Sequence, residues 1–524
     1  MAHPDRPTVE THRNTPAHVH CLPVEILTEI FLDHASMVGE TFKPWQRESF
    51  CAIHVAHVCR YWKEIALNCP GLWVTPLFFS PSLLECMVAR SRNLPITVSY
   101  RDTHTKHSPG LAAGVLDTVS SQMARIQSLE LLELEGEFGR QILSRLTQPM
   151  HMLERMSVSF VKDVFESIPE GLLAGRTPSL KELYFECLYI RHWDKLPVDP
   201  GLTHLEIRYR ENAGSEVELP TIDTLLQVLE LLPLLRVLSL AHCLPVPNLP
   251  DIPHQPVCPS LQRLYLEDWD EVMCIVLEAV ALPKARDIEL RITYMDFEME
   301  FLGMALDYLK AAWAEKTRLK VLEFDYAEAD DGDFHLKFKM LSNDAELVTL
   351  SIPIPNSAYY TRPHPAYEMD RLLTTIDDRV DFSSLAHLRL SGELGISLPR
   401  WKILSRCETL HTVSIAKAGV SDFVSALQEK FAVASNENDR LPSFPGLSTL
   451  EFVEVDFEKA GMSDSIETRP ATFRLQRALN GRPIGRRVSS LTVKRCKGFS
   501  KKDYSHLKWF VPKLAIQWDE YEAI

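Results

Sequence analysis

Cys51, His54, His57 and Cys59 stand close together, and their side-chain types would suit a tetrahedral zinc ion. On one continuous helix they point to roughly 0°, 300°, 240° and 80°, too splayed to close on a single ion. No second donor cluster lies nearby, so these read as helix-surface or core residues and no metal or cofactor is expected. The acidic run from Asp325 to Asp333 lacks the ligand spacing of a calcium loop and reads as a solvated loop after a strand. Residues 468–502 hold eleven Lys or Arg and no acid, leaving −26 on the rest of the chain. Clustered arginines can grip phosphorylated or acidic segments through charge-assisted bonds, and Arg486, Arg487 and Arg495, flanking an expected strand, are the candidate target-binding residues. The competing reading is a solvated face balanced by acids brought near in space. The chain has no P-loop, G-x-G-x-x-G, G-x-S-x-G or H-E-x-x-H, so nothing in it favours catalysis.

Two helical patterns open the ordered sequence after a polar lead-in at 1–20 that reads as disordered. In Leu22-Pro23-Val24-Glu25-Ile26-Leu27-Thr28-Glu29-Ile30-Phe31, apolar residues recur at the spacing of one helical face. Pro23 suits a first turn, and Glu25 suits the positive end of the helix dipole. A second periodic stretch runs from Ser49 to Asn68, stopped by Asn68, Pro70 and Gly71. Between the two, residues 33–50 read as an inserted loop containing Gly39 and Pro44.

Leu22-Pro23-x-Glu25-Ile26-Leu27-x-x-Ile30-Phe31, then Val58-Cys59-Arg60-x-Trp62-Lys63-x-Ile65-Ala66 and Leu72-Trp73, resembles an F-box of the kind common in large fungal families. The likeness covers residues 21–75. It implies a three-helix module that binds a Skp-type adaptor and, through it, a cullin. The adaptor-binding residues it implies are Leu22, Pro23, Ile26, Leu27, Ile30, Phe31, Val58, Leu72 and Trp73, while Trp62 and Ile65 would hold the module's own core. Some of this apolar surface would stay uncovered until the adaptor arrives, since so small a module cannot bury it all.

From residue 126 onward a second pattern recurs, apolar-x-x-apolar-x-apolar. Clear copies start at Leu180, Leu202, Leu235, Leu261, Leu319, Leu347, Leu385, Leu410 and Leu447, and weaker ones at Ile126, Leu153, Ala285 and Val488. This resembles leucine-rich repeats, in which each copy supplies a short strand and a return helix. Expected helices lie at 223–232, 272–280, 301–315, 423–434 and 472–479. Strands alternating with helices argue for a parallel sheet, and units that cannot bury their own apolar face must stack. The ninth position, where that family carries Asn or Cys, is Cys only at 243 and 496. Residues 76–125, with a helix from Pro81 and a strand from Leu94 to Tyr100, read as connection and repeat cap. Residues 126–524 then form the repeat region. Prolines at 247, 250, 253, 256 and 259 fall every third residue, a stiff polyproline connection or, less simply, a ligand for a proline-binding domain. Pro353 to Tyr367, with its tyrosines, reads as a further insertion.

The composition of the 524-residue chain, 45% hydrophobic and 24% charged, is that of a globular protein, and the strand–helix alternation makes the expected fold class α/β. A net charge of −15 argues against nonspecific attraction to nucleic acid or membrane by the chain as a whole. Eleven scattered cysteines without a CxxC pair, and an N-terminus lacking an apolar core, fit a reducing cytoplasmic or nuclear compartment. The expectation is therefore a non-catalytic substrate receptor of a Skp–cullin–F-box ubiquitin ligase, with an unknown protein target on its repeat region. Its alternatives are a repeat scaffold or ligand-binding protein outside any ligase, or a hydrolase or transferase on an α/β core.

Overall fold

The computed structural model describes residues 22–41, 46, 51–102, 109–161, 166–175, 177–210, 217–245, 258–281, 287–293, 303–308, 320–328, 334–342, 345–354, 365–379, 382–392, 395–433, 436–458 and 469–521. The polar lead-in, most of the expected 33–50 loop after residue 41, the proline-rich stretch at 246–257 and most of the expected 301–315 helix lie outside them. The chain is α/β, with parallel strands and helices, and divides into two compact units, residues 1–202 and 203–524.

The first unit opens with α1 (Val24–Thr41), α2 (Cys51–Ala56) and α3 (Arg60–Asn68), followed by α4 (Pro81–Arg90). Helix α1 runs straight through Gly39, so the first part of the expected loop is helix. The stretch expected as one helix from Ser49 is instead broken before Cys59, whose sulfur caps α3 by accepting the Trp62 N–H at 3.4 Å. A cap satisfies one of the donors that every helix start leaves without a partner. Beyond α4 come β1 (Ile96–Arg101), α5 (Pro109–Gln122), β2 (Ile126–Leu134), α6 (Gly136–Arg145), β3 (Arg155–Phe160), β4 (Glu166–Ser167), β5 (Glu182–Glu186) and β6 (Leu188–Tyr189). Strands β1, β2, β3 and β5 pair in that order, all parallel, and β4 pairs with β6.

In the second unit, β7 (His204–Arg208), α7 (Ile222–Glu230), β8 (Val237–Ala241), β9 (Arg263–Asp268), α8 (Asp270–Ala279) and β10 (Asp287–Ile292) alternate strand and helix. After β11 (Val321–Glu328), β12 (Phe334–Ser342) and β13 (Ala345–Ile354) come α9 (Pro365–Asp377), β14 (His387–Ser391), α10 (Leu398–Leu404), β15 (Thr412–Ala416) and α11 (Ser421–Gln428). A two-stranded hairpin of β16 (Lys430–Val433) and β17 (Asn436–Pro442) follows, then β18 (Thr449–Val453), α12 (Ala471–Asn480), β19 (Ser490–Lys494), α13 (Lys501–Phe510) and β20 (Ala515–Trp518).

Every copy of the repeating pattern coincides with a strand. Where side chains are described, its fourth and sixth residues point inward, and they meet their counterparts in register: Leu205 opposite Leu238, Leu238 opposite Leu264, Leu264 opposite Ile288. Further along, Leu388, Val413, Leu450, Leu491 and Ile516 continue such a row. Period-two alternation places these side chains on one face, and each is essentially solvent-free apart from Ile516. In seven copies the chain leaves the strand through a left-handed residue at the eighth position: Glu133, Cys187, His242, Gly392, Lys417, Glu454 and Arg495 all have φ between +50° and +91°. Just one of them is glycine, so the turn is imposed by the surrounding sheet against a cost of about 1–2 kcal/mol per non-glycine residue.

The two ninth-position cysteines each donate to a backbone carbonyl. The Cys243 thiol donates to the Ile207 carbonyl at 3.4 Å and the Cys496 thiol to that of Phe452 at 3.5 Å, each reaching a neighbouring strand. Burial raises both thiol pKa values, which keeps the donating proton in place.

The copies at Leu319 and Leu347 depart from strand-helix alternation. Strand β12 runs antiparallel between β11 and β13, and the order in the sheet is β10-β13-β12-β11-β14. The later strand β13 lies beside β10, while β11 lies beside β14. The start of the acidic run, Asp325 to Glu328, is thus the end of β11 and not a loop. The helix expected over 423–434 also stops early, at Gln428, because the chain turns into the β16–β17 hairpin.

Candidate functional site

Helix α1 has two apolar stripes. Leu27 and Phe31, one turn apart, are 0% and 1% exposed, and Ala35 and Val38 continue their row. They close over Ala52, Val55 and Ala56 of α2, Ile65 and Ala66 of α3, and Leu72 and Trp73 beyond it. Phe31 packs against the half-buried Trp62 at 4.9 Å between ring centres. The Trp73 indole N–H donates to the Ala66 carbonyl at 2.8 Å, and Arg90 lies over its ring. A Cβ on Gly71 would stand 2.8 Å from a Leu32 methyl, so a larger residue there would displace the exposed Leu32 side chain. Leu22 packs at the edge of this cluster, its carbonyl accepting the Tyr61 hydroxyl at 3.4 Å.

The second stripe is uncovered. Ile26 and Ile30 are 43% and 44% exposed and Met37 is 66% exposed, at i, i+4 and i+11, which one helical face carries. Pro23 and the acids Glu25, Glu29 and Asp33 are exposed as well, and Val24 is exposed away from this stripe. Val58, in the turn between α2 and α3, is 60% exposed. The implied adaptor-binding residues thus separate into two groups. Leu27, Phe31, Leu72 and Trp73 lie in the helical cluster's own core, whereas Pro23, Ile26, Ile30 and Val58 face outward. Sequence reading missed Met37, although the same stripe of α1 carries it once the helix is known to continue to Thr41.

The basic stretch at 468–502 comes apart in three dimensions. Arg482, 3% exposed, donates through Nε to the Arg486 carbonyl at 2.7 Å, through Nη1 to Ser443 O at 2.7 Å and through Nη2 to Phe444 O at 2.6 Å. Burial pushes its pKa down from 12.5 to about 10. Arg474 is likewise buried, donating to the hydroxyls of Ser421 and Ser425. Arg495 pairs with Glu454 at 2.6 Å, and Lys497 with Asp456 and Glu458 at 3.5 and 3.4 Å. Arg486 and Arg487, half-buried, precede β19, while Arg495 follows it. The five-residue strand, about 16 Å long, thus stands between Arg486 and Arg487 on one side and Arg495 on the other.

A polar cluster that no motif announced occupies the outward side of β7–β10. The buried Glu267 carboxylate meets Arg208 at 3.2 Å, Arg291 at 3.4 Å and His242 at 3.7 Å, and accepts the Tyr265 hydroxyl proton. Arg208 also lies over the Tyr265 ring. Beside it Asp268 accepts the N–H groups of Leu244 and Trp269, yet burial holds its carboxyl above the ordinary range. Glu267 sits at the seventh position of its copy, as Arg208 and Arg291 do in theirs, so outward-pointing sites of adjacent strands assemble the group. Shared among two guanidiniums, an imidazole and a phenol, the Glu267 carboxylate ties these strands into a cross-linked polar surface.

Cys51 lies in α2 and Cys59 at the start of α3, so the four zinc-type residues do not share one helix. No cluster of three or more His, Cys, Asp or Glu suited to a metal occurs among the described residues. No helix among them is long and apolar enough to cross a membrane. The chain matches no protein-family model, and no curated protein matches it.

Proposed function

We propose that this chain is the target-recognition subunit of a Skp–cullin–F-box type ubiquitin ligase, with α1–α3 as the adaptor-binding F-box module and the second unit, a leucine-rich-repeat-like stack, as the target-binding part. The observation that carries the reading is the second stripe of α1. Ile26, Ile30 and Met37 are left in water on a helix whose opposite stripe is sealed, at the place where the sequence resembles an F-box. Exposed β-branched and thioether side chains aligned along one helix are anchors for a partner's groove. In this reading Pro23, Ile26, Ile30 and Val58 contact the adaptor, and Leu27, Phe31, Leu72 and Trp73 hold the module in shape. The chain performs no bond chemistry; it raises the local concentration of target lysines near a ubiquitin-loaded enzyme.

Co-purification of the full chain with a Skp-type adaptor is the test. The double variant Ile26→Asp, Ile30→Asp retains its far-UV circular dichroism, because both side chains are already half in water, and loses adaptor capture. Each buried isoleucine forfeits about 1 kcal/mol of remaining burial and each new carboxylate must be desolvated, so affinity falls at least about 100-fold. Undiminished capture by this variant, or no capture by the parent, removes the proposal.

A further inference from the structure

The two most exposed large apolar side chains among the described residues are Trp509 at 81% and Ile484 at 80%. They occupy equivalent places in adjacent repeats. Ser490 pairs with Ala515 in the β19–β20 register, and Ile484 and Trp509 each stand six residues before that pair. Phe510, 46% exposed, adjoins Trp509 at the end of α13. All three lie where the chain passes from a return helix into a strand, along the same edge of the second unit's sheet. Arg486, Lys508 and Lys513 neighbour them in sequence, the Lys508 ammonium lying over the Tyr504 ring 3.4 Å from its hydroxyl. Asp503 is the single acid between residues 468 and 518, and its carboxylate is engaged at Ser500, at the opposite end of α13.

We infer that this edge is a docking surface for an anionic phospholipid membrane, with Ile484, Trp509 and Phe510 entering the headgroup region and Arg486, Lys508 and Lys513 meeting lipid phosphates. Two observations select this occupant. Side chains that keep four-fifths of their free surface project from the protein and line no groove, so a protein partner would have to bring the pocket. A bilayer interface receives projecting Trp, Phe and Ile without one, and basic side chains at its level snorkel to the phosphates. The second observation is charge. The whole chain is acidic, but the screening length at physiological salt is about 8 Å, so the local cations decide the interaction at this edge and distant acids do not. Trp269, 56% exposed between Asp268 and Asp270, supplies the contrast of an exposed indole in acidic surroundings.

The experiment is flotation of the full chain with vesicles of equimolar phosphatidylserine and phosphatidylcholine, beside vesicles of phosphatidylcholine alone. The anionic vesicles carry the protein, the neutral ones do not, and added salt weakens the association. Trp509→Ser with Phe510→Ser lowers the partition coefficient at least about tenfold. Lys508→Glu with Lys513→Glu does the same, while Trp269→Ala changes nothing. Both double variants alter exposed side chains and are checked by circular dichroism. Failure of the parent to bind anionic vesicles overturns the inference, as does equal loss with Trp269→Ala. Capture by poly-glutamate in place of vesicles also overturns it, in favour of an acidic protein segment.

Discussion

Replacing Arg482 with methionine separates two effects that oppose each other in one side chain. The stem stays and the guanidinium goes. Three hydrogen bonds from a charged donor to the carbonyls of Arg486, Ser443 and Phe444 are lost, each contributing about 2 kcal/mol, so the gross loss is about 6 kcal/mol. Against it stands the cost of keeping a cation at a site 3% exposed. A pKa drawn down from 12.5 to about 10 corresponds to roughly 3 kcal/mol recovered when the charge is removed. The difference predicts a net destabilisation of about 3 kcal/mol. Arg482→Lys should be no better, because an ammonium keeps the buried charge but cannot span three separated carbonyls as a planar fork does. Urea unfolding of the full chain followed by far-UV circular dichroism reads the outcome as a midpoint lowered by about 1 M. If the methionine variant matched or exceeded the parent, desolvation would outweigh the bonds. The reading of Arg482 as the clamp between the loop before β18 and the entry to β19 would then be wrong.

Lys417→Gly should stabilise the second unit by about 0.5–1 kcal/mol, seen as a raised urea midpoint. The residue sits at φ +59°, glycine already serves at the equivalent Gly392, and the 3.6 Å ion pair to Glu454 that is lost is largely exposed. His387 is held below its ordinary 6.5 by burial, then by Arg389 and His411, so the folded chain refuses a proton that the unfolded chain accepts. Stability from this site is therefore full above pH 6.5 and falls as pH drops below it. His387→Gln should flatten that part of the stability–pH curve, and an unchanged curve would count against the assignment.

The strands were the most legible part of the chain, because apolar-x-x-apolar-x-apolar is itself the inward row of a strand and requires no knowledge of neighbours. Strand β20 escaped notice since its copy is worn to Lys513, Ile516 and Trp518, yet Glu520 still takes the left-handed turn of the eighth position. Strand β12 carries a plain period-two signal in Phe334, Leu336, Phe338 and Met340. Its antiparallel course and the exchange of order it brings depend on pairing across the sheet, which local periodicity does not encode. The break before Cys59 was hidden for a related reason: cysteine is seldom a cap, and apolar spacing continued across the interruption. For the candidate sites, the helical period of α1 was readable, but which of its stripes would be covered was not. The stretch with eleven basic residues misled because Arg474 and Arg482 turn into the protein, a fate that depends on carbonyls and hydroxyls contributed from up to 53 residues away.

The exchanged order of β11 and β13 also bears on assembly during synthesis. A stack whose neighbours follow one another in sequence can grow from its first member, each new strand finding its template already laid down. Here growth halts at β10, because the next strand made is not the one that belongs against it. Strands β11, β12 and β13 must first meet as a local antiparallel meander and then seat as a block, β13 on β10 and β11 awaiting β14. A ribosome pausing between residues 292 and 345 would hold β10 with a bare edge, the state most open to capture by another chain.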